Sequence, residues 1–399
     1  MGVRALSSNS AISGVGTGNG TDSRLAAETA IEEAFRPLAG REPDLVLVYA
    51  SVRYDLETVL KAVTAAAGPS AVVAGATTSG QLEGGRLIEP GDGIAVLALA
   101  GGGYRFGLGH ATGLQADATR AGRALARAAL GAAGPVRSPH EAVLLFSDGL
   151  AGDQQELLNG IHKVTGFQIP VVGGAAADDR RLAETFVFAG DRVLRDAAVA
   201  VWIGSDRPLR VAGGHGWQPT SLPLMLSGVE GQIVKELGGR PAREVFWENF
   251  RPRGGVDTKL YKKAGGYHSE HAFGLIQPDG SLLIRGAFID SDGNLRTFSP
   301  MPPYSAVQVV SCEPDDLLEI GEEVVERVAR GGEQEPSVVL VFDCVARLDI
   351  LGERGHEEAR RLQRAAHGAP TFGYYTYGEF ARTTGVAGYH NATIAALAL

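Results

Sequence analysis

Cysteine is scarce. Cys312 and Cys344 are the only two in 399 residues, which excludes a disulfide framework and fits a reducing compartment. No stretch approaches the roughly 18 apolar residues of a membrane-spanning helix. The start, MGVRALSSNSAISGVGTGNG, lacks the apolar core of a secretory signal, and Leu6 stands where myristoylation needs Ser or Thr. A soluble, cytoplasmic protein with no membrane insertion is the expectation. Positive charge is also in deficit: 37 basic against 46 acidic residues give −9, and the basic residues are scattered, which argues against nucleic acid as a main partner. Familiar catalytic signatures are missing as well. No G-x-S-x-G elbow, Ser-x-x-Lys pair, H-E-x-x-H or C-x-x-C-H occurs, and GVGTGNGT breaks the dinucleotide spacing because residue 19 is Asn.

What is present is a repeated order of elements. DLVLVYAS (44–51) is a continuous apolar run, the pattern of a strand covered on both faces. A helix over 54–68 and a glycine-bearing strand, AVVAGATTSG, follow. IAVLALA (94–100) and YRFGLGH (104–110) read as a hairpin across Gly101–Gly103. The same order returns in EAVLLFSDGL (141–150), a helix over 153–166 capped by Asp153, PVVGGAAADD (170–179) and the pair 197–204 with 209–217. Both units reach a Gly-His step, Gly109-His110 and Gly214-His215. A third copy closes the chain: VVLVFDC (338–344), a helix over 355–368, TFGYYTYGEF (371–380) and NATIAALAL (391–399). Aligned on Gly75 and Gly373, the first and third copies share Thr78 with Thr376 and Gly80 with Gly378. Between the second and third copies, 251–269 is basic and Gly-rich and reads as a surface loop, as does YHSEH (267–271) with His268 and His271; 273–299 reads as successive hairpins turning at PDG and SDGN.

DLVLVYASVRYD, VVAGATTSG, LFSDGLAGDQQELLNGI, VVGGAAADD, HGWQP, ELGGRPA, FDCVARLDILG, FGYYTYGEF and YHNATIAAL, in that order, resemble the FIST family of signal-transduction sensory proteins. The resemblance covers roughly 24–399. It implies a flexible arm over 1–23, an internally duplicated N-terminal domain over 24–218 and a C-terminal domain over 219–399. It also implies a sensor of a small polar ligand, such as an amino acid, that signals through a separate protein. Some members are similar to haem-binding nitric oxide sensors. The fold expected is mixed α/β, in two domains of related strand–helix–strand units with sheets covered by helices.

Glycines at strand ends admit a ligand or a neighbouring backbone. Cys344 ends a strand, and Arg347 and Glu379 are charges in apolar surroundings, where an unpaired charge is costly. They either neutralise each other or present a guanidinium and a carboxylate to a zwitterion. With Thr376, Tyr377, His390 and Asn391 they make the candidate ligand pocket. Asp148, Asp178 and Asp179 read as turn and cap residues. His215, beside Trp217, is the candidate haem ligand; no metal site is expected, YHSEH included. A nucleophilic role for Cys344, or an enzyme built on the polar C-terminal pocket, is the remaining alternative, and no catalytic residue is assigned.

Overall fold

The computed structural model describes residues 11–250, 266–330, 335–381 and 388–399. Three units of one design follow each other. The first runs β1 (Ile12–Gly18), α1 (Ser23–Phe35), β2 (Leu45–Ala50), α2 (Leu56–Ala67), β3 (Val72–Thr77), β4 (Gln81–Glu83), β5 (Arg86–Ile88), β6 (Ile94–Ala100). The second is β7 (Arg105–Thr112), α3 (Leu114–Ala132), β8 (His140–Ser147), α4 (Gln154–Thr165), β9 (Val171–Ala175), β10 (Val187–Ala189), β11 (Arg192–Leu194), β12 (Ala197–Ser205). The third opens with β13 (Arg210–Gly214) and is interrupted by an insert. In it stand β14 (Gln218–Pro219), β15 (Leu224–Glu230), β16 (Ile233–Leu237), β17 (Arg240–Pro241), α5 (Ala242–Asn249), β18 (Gly266–Ile276), β19 (Leu282–Ile289), β20 (Leu295–Thr297) and β21 (Ala306–Ser311). The third unit then resumes with α6 (Pro314–Arg330), β22 (Val339–Cys344), α7 (Val345–Leu351), α8 (Gly355–Ala365), β23 (Thr371–Thr376), β24 (Glu379–Ala381), β25 (Tyr389–His390) and β26 (Ile394–Ala398).

The mixed α/β expectation holds. Each unit builds one sheet whose central pair is parallel, β2 with β3, β8 with β9 and β22 with β23. Each sheet is completed by a hairpin from another unit: β10–β11 extends the first, β24–β25 the second and β4–β5 the third. The exchange runs in a circle. Alternation along each central strand serves two cores. In β2, Leu45, Leu47 and Tyr49 face a shared centre, while Val46, Val48 and Ala50 lie under the unit's own helices. Tyr49, Phe146 and Phe342 hold the same place in the three sheets and meet at that centre, with ring centroids 6.1 and 6.2 Å apart along the series. Edge-to-face aromatic contact of this kind adds to the burial of area.

The glycine strands receive their reason here. Gly75, Gly173 and Gly373 lie opposite Val48, Leu145 and Val341. A Cβ on any of them would stand 1.9–2.1 Å from the facing carbonyl oxygen. Across the other edge each glycine meets a bulky residue of the exchanged hairpin, Phe188, Phe380 or Leu82.

Four expectations are corrected. The strand pairs 94–100/104–110 and 197–204/209–217 are not hairpins. β6 pairs with β1 and β2, while β7 pairs with β12; β13 pairs with β26. Gly101, Gly102 and Gly103, all at φ near +75°, turn the chain into the next sheet instead. Residues 12–18, expected in the flexible arm, are β1: Gly14, Gly16 and Gly18 let the backbone of α1 lie directly on the strand. The Gly-His steps are not equivalent. Counted from the matching pairs Ala198–Ser147 and Ile394–Asp343, the counterpart of Gly214 is Ala111, so His215 matches Thr112. Of the basic segment 251–269, residues 251–265 lie outside the described residues, as does the side chain of His268. His271 is no surface residue: it is buried on β18, with ring centroids 4.9–5.5 Å from Phe246, Trp247 and Phe250.

The insert is an antiparallel sheet in the order β14-β21-β15-β16-β20-β19-β18, closed into a barrel by β18–β21 pairing. Its hairpins turn at 278–280 and 291–294, as the sequence expects.

Candidate functional site

A cavity of about 290 Å³ lies where the third unit, the second unit and the inserted barrel meet. Cys344 ends β22 and contributes to its wall. Tyr377 follows β23, and Asn391 follows β25. Gly149, Leu150 and Leu182 come from the second unit; Ser269, Gly286 and Phe298 come from the insert. Leu150, Leu182 and Phe298 are exposed, so the entrance is apolar. Inside, the Oδ1 of Asn391 is buried without a hydrogen-bond partner. The Tyr377 hydroxyl donates to Asp178, and burial followed by that bond raises its pKa. Asp178 also accepts the amide N–H groups of Leu182, Ala183 and Glu184, fixing the loop that supplies Leu182.

Of the seven expected ligand residues, Cys344, Tyr377 and Asn391 come together at this cavity. Thr376 and Glu379 do not line it. Glu379 is fully buried; its carboxylate accepts from the Thr376 hydroxyl, the Thr393 hydroxyl at 2.7 Å and the Thr393 amide at 3.2 Å. Burial outweighs those donors and pushes its pKa up to about 7. Burial, aided by Glu379, raises the Cys344 thiol well above its ordinary value and so favours the protonated thiol.

Arg347 stands apart from both. Its guanidinium is buried between Asp343 at 2.6 Å and Glu358 at 2.5 Å, with the Leu317 carbonyl at 3.0 Å. Glu358 in turn accepts from the Tyr375 hydroxyl. Arg347 therefore neither pairs with Glu379 nor reaches the cavity; it is a structural ion pair of the third unit. Asp148 and Asp179 serve as turn residues too. Asp148 accepts from Thr185 and the Asp196 amide, and Asp179 accepts from Ser51 and the Gly91 amide.

A second cavity, about 300 Å³, is lined by His215 and His390 among others. Burial lowers both imidazoles to about 4, so both are neutral at pH 7. The Nδ1 of His215 accepts the Trp217 amide N–H, and the Nε2 of His390 donates to the Ala381 carbonyl at 2.7 Å. Among the described residues the nitrogens left over are thus Nε2–H on His215 and bare Nδ1 on His390. This is where the structure places His215, the expected haem ligand. Among the described residues no cluster of three or more His, Cys, Asp or Glu side chains could hold a metal ion.

The FIST N domain model matches residues 44–240 and the FIST C domain model residues 257–382. The chain belongs to the FIST family. FIST domains are sensory domains of signal transduction. An uncharacterized protein of Mycobacterium tuberculosis is 25% identical over 391 residues, covering 95% of this chain and 96% of that protein. An uncharacterized protein of Methanocaldococcus jannaschii is 28% identical over 146 residues, which is 36% of this chain but only 28% of that protein's length. Among solved structures, a cyanuric acid hydrolase from A. caulinodans aligns over 98% of this chain at 10% identity and a TM-score of 0.39, a likeness too slight to bear on function. The junction cavity of this FIST protein draws on both matched segments, with Gly149 and Leu182 from one and Cys344 and Tyr377 from the other. Among the described residues no helix is long and apolar enough to cross a membrane.

Residue patterns alone missed Leu150, Leu182, Phe298 and Tyr389. Only Tyr389 carried a signal, as the aromatic residue directly before His390-Asn391.

Proposed function

We propose that the protein is a small-molecule sensor whose ligand occupies the junction cavity, with Asn391 and Cys344 against it and Tyr377 positioned by Asp178. The observation that carries this reading is the Asn391 Oδ1, a buried acceptor with no partner inside an otherwise largely apolar cavity. Such groups are rarely left unpaired, so the fitting ligand supplies a hydrogen-bond donor. Among the described residues no charged side chain lines the cavity, which favours a neutral, mainly apolar ligand with one amide or hydroxyl over a free zwitterion. Occupancy acts on output through the barrel, because Ser269, Gly286 and Phe298 close one side, and a separate signalling protein reads that change. The test is a thermal-shift screen of neutral metabolites, followed by titration of each hit against wild type and Asn391→Ala. A ligand at a hundred times its dissociation constant should stabilise the wild type by about 2.7 kcal/mol. Asn391→Ala should bind about tenfold more weakly, as expected for one lost buried hydrogen bond. A hit that binds both proteins equally places its site elsewhere.

A further inference from the structure

Arg285 lies on β19 in LLIRGAFI, a lone charge in an apolar strand, and it is 4% exposed. Among the described residues its hydrogen bonds run through Nη1 alone, to the carbonyls of Tyr389 at 2.9 Å and Ile284 at 3.3 Å. Nε is buried without a partner. Among the described residues no carboxylate is within ion-pairing distance of it, whereas Arg347, the other fully buried arginine, has two. Burial pulls its pKa down to about 10, which leaves it a cation at neutral pH. Its guanidinium carbon stands 6.0 Å from the centre of the Tyr389 ring, a π contact that does not replace an ion pair, and a buried guanidinium without one is costly unless something anionic completes it.

The side chain faces a cleft of about 490 Å³ between the inserted barrel and the start of α4. Asp153 and Glu156 line the opposite wall beyond ion-pairing distance, and Asp153 favours the cation across the gap without pairing with it. Asp153 caps α4, accepting the amides of Gln155 at 2.9 Å and Glu156 at 3.1 Å. Glu156 accepts from the Thr119 hydroxyl at 2.6 Å and from Asn159 at 3.1 Å. These fixed negative charges disfavour any ligand bearing a second negative charge. Leu275, Leu283 and Met301 supply apolar surface in the same cleft.

We propose that this cleft is a second ligand site, distinct from the junction cavity, which binds a short-chain monocarboxylate through the Arg285 guanidinium. The carboxylate takes up the donors left open on Arg285, in the geometry that guanidinium and carboxylate share. The short alkyl chain lies against Leu283 and Met301. Because Arg285 also holds the carbonyl of Tyr389, whose ring lines the junction cavity, binding at one site bears on the other, and any such coupling is reciprocal.

The experiment is thermal denaturation of the full chain in sodium butyrate, sodium succinate or sodium phosphate, each at ionic strength held constant with sodium chloride. Butyrate should raise the melting temperature in a saturable way, and succinate and phosphate should do so less. Arg285→Met should weaken butyrate binding about tenfold or more, the loss expected for one charged partner. Glu156→Gln, at an exposed position, should strengthen it several-fold by removing a repelling charge. If Arg285→Met fails to fold, the anion ranking and Glu156→Gln decide alone. No saturable effect of butyrate on the wild type overturns the site. Stronger stabilisation by succinate or phosphate, or no gain in Glu156→Gln, overturns the monocarboxylate assignment.

Discussion

Glu379, His215 and His390 are buried ionisable groups that make the fold sensitive to pH in opposite senses. Glu379 titrates near 7 when folded and near an ordinary glutamate when unfolded. Between those values the folded chain keeps a proton that the unfolded chain has lost, so this stabilisation is full below about pH 4.5 and is lost as pH rises to about 7. The shift corresponds to about 3 kcal/mol. The two imidazoles, lowered to about 4, work the other way: their contribution is present above pH 6.5 and lost as pH falls towards 4. Glu379→Gln should therefore remove the part of the decline in stability between pH 5 and 7 that Glu379 causes, so that the rise due to the histidines stands out more clearly. Urea midpoints at pH 5, 6, 7 and 8 check this, and parallel pH profiles for wild type and variant would refute it. The same buried groups mark how far the residues could be read. Cys344, Tyr377 and Asn391 were expected together because strand ends in an α/β sheet collect polar groups at one edge, and the structure does bring these three to one cavity. Arg347 was misread because a charge in apolar surroundings signals a ligand contact and an internal pair alike. Its partners, Asp343 near the end of β22 and Glu358 on α8, settle the choice. Arg285 carried the same signal in LLIRGAFI and went unread.

Among the elements, strands and helices were legible and their partners were not. The continuous apolar runs gave β2, β8 and β22, and Asp153 caps α4 as expected; Asp22 and Asp55 cap α1 and α2 in the same way. Pairing between strands distant in sequence leaves no local trace. A run of glycines between two apolar strands therefore suits a hairpin and a crossing between sheets equally well, and at Gly101–Gly103 it is the crossing. The glycine strands give the sharpest test at this scale. Gly373→Ala places a methyl group 2.1 Å from the Val341 carbonyl oxygen, so backbone must move. The expected loss is about 3 kcal/mol, the upper end of overpacking costs, with Gly75→Ala and Gly173→Ala behaving alike. Gly131→Ala, where a methyl meets nothing within 4 Å on α3, should be neutral or stabilising. Chemical denaturation of the four variants measures this, and equal stability for Gly373→Ala and wild type would show that the strands can separate at no cost.

Across the whole molecule, the circular exchange of hairpins ties each unit to both of the others. Without the third, β9 would lose β24 and β4 would lose β23, leaving two open sheet edges of the kind that aggregate. The ring also closes where the chain does not. Ser337 accepts from the Ser13 hydroxyl, donates its own hydroxyl to the Ala11 carbonyl at 3.3 Å, and gives its amide N–H to the carbonyl of Leu399. The two ends of the described fold thus meet at one residue. A ring whose ends touch has no privileged starting point. A circular permutant that links Leu399 to Ala11 through a short glycine-serine segment and opens between Gly101 and Gly103 should fold to the same structure, since that turn joins two sheets without pairing its flanking strands. Circular dichroism and a single melting transition close to that of the parent would confirm it; an insoluble product would mean that the order of synthesis, rather than the closed arrangement, governs assembly.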